Sequence, residues 1–354
     1  MADVKILAKQ ELFGCLLQAN WATPAAAGDN FYTLQWVNAG NLIPDMAVTL
    51  DQMNVTAQSG THWEIERAVI DARSGLPSIP FSGTASVLNM TPFLYSSHFA
   101  CTEAAGTPYN KIITAGGLTA PIDFNGDGTK FFTWMVDNGA SADDNFILEN
   151  GVVDSLNIVW DMNATGTARL VSYSGVVMGN EMNVEGTADG NWTNDTPPTA
   201  QDFFNNTDTW AFITLDVDSV DLSGEFVRRV EYNVSNNVTA STSTVAGKAN
   251  QYEIAPEYTM KVILNYNAVT EKCLGDFQAK ATVDANWSND SGSALTDGKW
   301  TIDMPTSYLI SQPKIYEGDY LGIELNIRAY STAAATPVTI NYCDTVDWVI
   351  DDGD

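Results

Sequence analysis

From residue 31 to residue 330 the sequence keeps breaking into short runs in which apolar residues alternate with polar ones. Each run is closed by Gly, Asn, Asp or Pro. The runs fall at 31–37, 46–56, 131–136, 156–160 and 168–177, then at 211–217, 226–234, 259–266, 300–304 and 320–330. Side chains alternate across a strand with a period of two, so each run has one face for a core and one for water. Many such runs at short spacing, with turn residues between them, predict a mainly β chain of antiparallel sandwich or barrel type. Helical candidates are few: 4–17, 91–102 and 269–283, the last two with mixed faces suited to lying on a sheet.

The clearest hairpin is VVDSLNIVWDMNATGTARLVSYSGVVMG, residues 152–179. Val152, Leu156, Ile158 and Trp160 supply one apolar face, 163–167 the turn, and 169–175 the return strand. Ser155, Asn157 and Asp161 fall on the polar side. Asp154 interrupts the apolar face, and Val153 and Val159 the polar one, a mismatch that a β-bulge would resolve.

At 354 residues with 45% hydrophobic and 17% charged side chains, the chain can bury a large core. Its 44 Asp and Glu against 16 Lys and Arg leave a net charge of −28. Such a chain repels phosphate backbones, because nucleic-acid binders work by neutralising phosphates. Solubility accounts for this charge, and so does a surface past which nucleic acid must slide. The opening residues, with Asp3, Lys9 and Glu11, make a poor signal peptide, and no apolar run is long enough to span a membrane. The expectation is a soluble protein made in a cytoplasm. Cys15, Cys101, Cys273 and Cys343 are scattered without a CxxC pair, as reduced thiols would be.

The two halves echo one another. Tyr32-Thr33-Leu34 recurs as Ile213-Thr214-Leu215, Val87-Leu88-Asn89 as Ile263-Leu264-Asn265, and Cys101 as Cys273. Asp127-Gly128 returns as Asp297-Gly298, and Leu156-Asn157-Ile158 as Leu325-Asn326-Ile327. The matches are collinear, with offsets that shrink from 181 to about 169. A tandem duplication would produce that order, with modules at 1–185 and 186–354 and a Gly-, Asn-, Asp- and Pro-rich linker at 186–198. One continuous domain is the alternative division.

Reactive chemistry is hard to find. His62 and His98 lie outside any HExxH or other metal spacing and read as structural. No GxSxG elbow occurs, and the Gly-Lys pairs at 247–248 and 298–299 lack the Ser/Thr of a phosphate loop. Asp123, Asn125, Asp127 and Gly128 match the first positions of a calcium loop, but Trp134 stands where its bidentate acid belongs. A turn before the strand at Phe131 explains the same residues. No catalytic, cofactor-binding or metal residue is therefore assigned, and no enzymatic activity or cofactor is expected.

The run TKFFTWMVDNGASADDNFILENGVVDSLNIVWDMNATGTARLVSYSGVVMG (129–179) resembles the phage tail tube proteins, the major tail protein family: a strand, an acidic Gly-containing loop, then paired strands ending in Gly. AFITLDVDSVDLSGEFVRRVEYNVSN (211–236) is similar to that family's central strands, and GKWTIDMPTSYLISQPKIYEGDYLGIELNIRAYSTA (298–333) to its closing element. The resemblance implies β modules, each with one flanking helix on its outer side, that self-associate into rings around a β-barrel lumen and stack into a virion tail tube. Family rings hold six modules, so a duplicated chain implies a trimer and a single-module chain a hexamer. Viral DNA and the tape measure protein would pass through the lumen without specific binding, and other tail proteins would sit at the tube ends. No membrane is involved. The 152–179 hairpin is the expected lumen wall, with Ser155, Asn157 and Asp161 toward a negatively lined channel. The competing readings are another ring-forming tail protein (terminator or distal hub), a surface β-sandwich adhesin or shell protein, and, least favoured, a carboxylate-based glycosidase.

Overall fold

The computed structural model describes residues 12–18, 30–34, 37–38, 51–59, 62–71, 76–104, 109–115, 131–137, 145–185, 191–193, 203–206, 208–240, 252–272, 274, 280–289, 298–317, 321–331 and 336–344. The chain begins with β1 (Leu12–Leu17), β2 (Asn30–Thr33), β3 (Val37–Asn38), β4 (Asp51–Ser59), β5 (His62–Asp71) and β6 (Ser78–Thr84). Helix α1 (Thr91–His98) leads into β7 (Phe99–Ala104), β8 (Tyr109–Ala115), β9 (Phe132–Asp137), the long β10 (Asn145–Asp161), β11 (Ser172–Met178), β12 (Glu181–Glu185) and β13 (Asn191–Thr193). Then come β14 (Ala211–Val217), β15 (Val220–Asp221), β16 (Val227–Ser235), β17 (Thr239–Ala240), β18 (Tyr252–Glu253) and β19 (Glu257–Asn265). The last strands are β20 (Thr282–Ser288), β21 (Trp300–Leu309), β22 (Lys314–Glu317), β23 (Leu321–Ala329) and β24 (Thr339–Asp344).

Three sheets follow from the pairings. The first runs β3–β6–β11–β10–β16–β19–β23–β22. The second runs β15–β14–β20–β21–β24–β8–β7, and the end of β21 crosses to pair with β23 of the first. The third, β12–β10–β9–β1–β2–β13, borrows the front half of β10, and its β2–β13 pair is parallel. No path of pairings returns to its starting strand, so among the described residues the sheets stay open and no barrel closes within one chain. Among the described residues, strands β4 and β5 pair only with each other. The two halves share sheets: β10 pairs with β16, β8 with β24 and β2 with β13.

The expected bulge in the 152–179 hairpin is present. The β10–β11 register slips between Val153 and Ser155, which lets Val152 and Val153 both be buried. Beyond the slip Leu156, Ile158 and Trp160 are buried, while Ser155, Asn157, Val159 and Asp161 are partly exposed. A Cβ on Gly175 would collide with the Ser155 carbonyl and the Phe81 ring, so the bulge requires glycine there. The return strand starts at Ser172 rather than 168–169, because Gly166–Arg169 forms a 3-10 turn.

Between the first two sheets lies one continuous core. Trp160 of β10 meets Trp300 of β21 at 5.2 Å between centroids and Trp287 of β20 at 6.4 Å. Trp210 stacks on Trp287 at 5.7 Å, and Phe204 closes the group against Trp300 at 5.2 Å. Buried aromatics of this kind each stabilise by several kcal/mol, about 3–5 when truncated to Ala.

The helices correct three expectations. The segment 91–102 is helical only to His98, where Phe99 turns left-handed (φ 71) and the chain enters β7. All eight residues of α1 are buried, so the helix plugs the sandwich instead of flanking its outer side. TPFLYSSH carries no carboxylate, Lys or Arg, and its polar groups find partners. The Ser96 Oγ accepts from Val153 N at 3.0 Å, and Ser97 Oγ donates to Leu94 O at 3.0 Å. Residues 12–17 of the 4–17 candidate are β1, paired along its length with β9; residues 4–11 lie outside the described residues. In the third, 270–272 is a 3-10 turn and Thr282 opens β20; 273 and 275–279 lie outside the described residues. Among the described residues α1 is the one α-helix with a full span, and it lies inside the fold.

Two outcomes follow. Gly175→Ala should lower stability by about 2 kcal/mol or more, read as a shift in urea midpoint at unchanged slope. The second concerns His98, whose burial lowers its pKa to about 4 against a weaker opposing hydrogen bond to the Leu94 carbonyl. The unfolded ring binds its proton near pH 6.5, so stability is complete above that pH and is lost as pH falls toward 4. The unfolding free energies of wild type and His98→Gln, compared at pH 7.5 and pH 4.5, should converge by roughly 2–3 kcal/mol at the lower pH. A difference independent of pH would show that His98 does not set the acid sensitivity.

Candidate functional site

Among the described residues no group of His, Cys, Asp or Glu is placed to hold a metal; what they present are two solvent faces and open edges. The outer face of the first sheet comes from alternate residues of β6, β11, β10, β16, β19 and β23. One row across it reads Ser82–Ser174–Asn157–Asn233–Thr259–Arg328, each residue directly opposite the next. Asn157 donates to the Asn233 side chain inside that row. Beside it run Thr84–Ser172–Val159–Glu231–Lys261–Asn326, and then Asp161–Arg229–Ile263–Glu324–Lys314.

Charges on this face are paired along one strand, directly across neighbours and diagonally. Arg229 Nε sits 2.6 Å from Glu231 and its Nη1 3.9 Å from Asp161. Lys261 reaches Glu324 at 3.1 Å, and Arg328 reaches Glu257 at 3.2 Å. Partial burial alone would raise the Glu324 pKa, but hydrogen bonds from Asn326 and Lys261 and the charges of Lys261 and Lys314 hold it below its ordinary value. The residues expected on the polar side, Ser155, Asn157 and Asp161, do lie there. The face is not acidic at these rows, however: Asp161, Glu231, Glu257 and Glu324 are matched by Arg229, Lys261, Arg328 and Lys314.

The outer face of the second sheet is different. Asp221 of β15 stands opposite Asp216 of β14, which stands opposite Asp284 of β20. Asp303 of β21 follows one step along, opposite Asn286. Among the described residues no salt bridge reaches these four carboxylates. Burial and then the neighbouring Asp216 raise the Asp284 pKa; burial and then Asp284 raise that of Asp303, against a hydrogen bond from Asn286. Asp221 is held low by hydrogen bonds from Ser223.

Among the described residues, backbone edges remain open at both ends of the first sheet: beyond β6 only β3 is paired, through Gly83 and Ser82, and β22 is bonded on one side only. Exposed apolar residues lie near the β22 edge: Ile310, Ile315 and Leu321.

The sequence-level candidates are dispersed. His98 is sealed inside, its Nε2 2.7 Å from the Tyr232 hydroxyl and its Nδ1 2.8 Å from the Leu94 carbonyl. His62 falls on β5, and its side chain is outside the described residues, as are Cys273 and the whole Asp123–Asn125–Asp127 loop. Cys15, Cys101 and Cys343 are free thiols. Among the described residues no three His, Cys, Asp or Glu side chains are placed to hold a metal, and no helix is long and apolar enough to cross a membrane. The diagonal ion pairs were missed by sequence reasoning; the alternation in 227–235 and 257–265 marks the polar positions but not their partners. No protein-family model and no curated protein matches the chain.

Like charges directly opposite one another weaken a sheet. Because the Asp284 pKa is raised in the fold, its charge opposes folding at neutral pH, and that opposition is relieved as pH falls. Asp284→Asn should therefore raise the melting temperature at pH 7, by the equivalent of about 0.5 kcal/mol, and change little at pH 3.

Proposed function

We propose that this chain is a structural tail tube protein of a tailed virus, whose copies join into rings that stack into a conduit for genome passage. The observation that carries this reading is the first sheet, with a polar outer face, an apolar inner face sealed by its own sandwich, and edges at β6 and β22 that find no full partner strand among the described residues. An open edge invites another strand, and head-to-tail pairing around a closed rotation turns that liability into a ring. Such a ring would place the outer face of β6, β11, β10, β16, β19 and β23 toward its axis. No chemistry is asked of that wall, and rings need no cofactor.

One repeat match agrees with a two-module chain. Leu156-Asn157-Ile158 and Leu325-Asn326-Ile327 both lie in the first sheet with Leu and Ile buried and Asn outward. Another does not, since Val87–Asn89 is a turn and Ile263–Asn265 ends a strand. With two modules per chain the ring is a trimer. The wall this ring would present is charge-balanced at the rows described, so passage of DNA relies on the absence of free cations there rather than on net negative charge.

Negative-stain microscopy of the purified protein across a concentration series tests the proposal. Rings or tubes with a central hole are expected, many per particle in purified virions. A chain that stays monomeric at high concentration ends it.

A further inference from the structure

Four of the chain's 16 Lys and Arg gather on the outer face of the first sheet, although the chain as a whole is strongly acidic. A face selected only to repel phosphate would carry no cations. Here each of three has a carboxylate within ion-pair distance, and Lys314 lies opposite Glu324. Stability does not account for the pattern, because exposed ion pairs contribute only about 0–1 kcal/mol each, and Arg229 and Arg328 are each 40% exposed. Across β10, β16, β19 and β23 the signs alternate: Asp161, Arg229, Glu231, Lys261, Glu324. Any phosphate approaching a cation meets an anion one strand away, well inside the screening length of about 8 Å.

We propose that Asp161, Glu231, Glu257 and Glu324 act as guards. They hold Arg229, Lys261, Arg328 and Lys314 in neutral pairs, so that a face which would otherwise bind nucleic-acid phosphate stays hydrated and non-adhesive. The proposal deepens the conduit reading and rests on it for its biological sense. Its physical content concerns a single folded chain. Removing the guards unmasks four cations on adjacent strands of one sheet, an arrangement that can capture a polyphosphate by counterion release.

The test compares two variants of the full chain with equal change in net charge. The guard variant is Asp161→Asn/Glu231→Gln/Glu257→Gln/Glu324→Gln; the control is Asp216→Asn/Asp221→Asn/Asp284→Asn/Asp303→Asn, whose carboxylates take part in no salt bridge among the described residues. Fluorescence anisotropy of a labelled DNA duplex measures binding at 50 and 200 mM salt, after thermal melting has shown each protein folded. Wild type and control should not bind. The guard variant should bind and weaken about 100-fold between the two salt concentrations, as about four phosphate contacts require. Should the fourfold variant not fold, Glu324→Gln alone, which frees Lys261 and Lys314, should still bind more tightly than the single control Asp284→Asn. Equal binding by guard and control proteins would assign the effect to net charge, and no binding by a folded guard variant would remove the masked cations; either result overturns the proposal. Ring formation by the same proteins is scored separately by microscopy, so a failure to assemble bears on the tube reading and leaves the binding comparison standing.

Discussion

Everything in this fold depends on one strand serving two sheets. The front half of β10 pairs with β9 and β12, and its rear half with β11 and β16. The change of neighbours needs a kink in buried backbone, and buried backbone tolerates no unmatched donors. Asn150 takes the left-handed conformation (φ 52), and its amide and side chain exchange hydrogen bonds with the Gln18 side chain at 2.9 and 2.8 Å. Tyr252 donates to the Asn150 carbonyl at 2.7 Å. A few residues on, Asn236 Nδ2 donates to the Val153 and Ser97 carbonyls at 2.6 and 3.1 Å, and Asp154 accepts from Val238 N at 2.7 Å. These buried amides let a bulged strand turn from one sheet into the next.

That junction explains why the helix is internal. With β10 bent, the first sheet and the β7–β8 edge of the second leave a space that α1 fills. Phe93 stacks on Phe81 at 4.3 Å and on Trp134 at 5.3 Å, and His98 lies against Tyr258 at 5.1 Å. An α-helix exposed to water on one side would need charge on that side. This one has none, and is enclosed on all sides.

The electrostatic division between the two sheets is a consequence of register. On the first sheet, opposite and diagonal positions bring unlike charges together; on the second they bring four aspartates into line. The same overall charge of −28 is therefore compatible with a balanced face and an acidic face on one molecule. A functional account that takes net charge as a property of every surface would misplace both. The face of the first sheet is the balanced one, and its balance is set by which carboxylate stands beside which cation.

By itself the sequence determined the β class, most strand positions and the polarity of their faces, because a period of two is written in local order: 211–217 is β14, and 321–329 lies within the expected 320–330. It also determined that Val153 and Val159 did not fit a regular hairpin, which is the local mark of the bulge. Tertiary structure alone decided that 12–17 is a strand, since LFGCLL becomes one only through pairing with β9. It alone decided the burial of α1 and the pairing of Arg229 with Asp161, Lys261 with Glu324 and Arg328 with Glu257. Those outcomes depend on neighbours distant in sequence, and periodicity along one segment carries no information about which other segment will lie beside it or in what register.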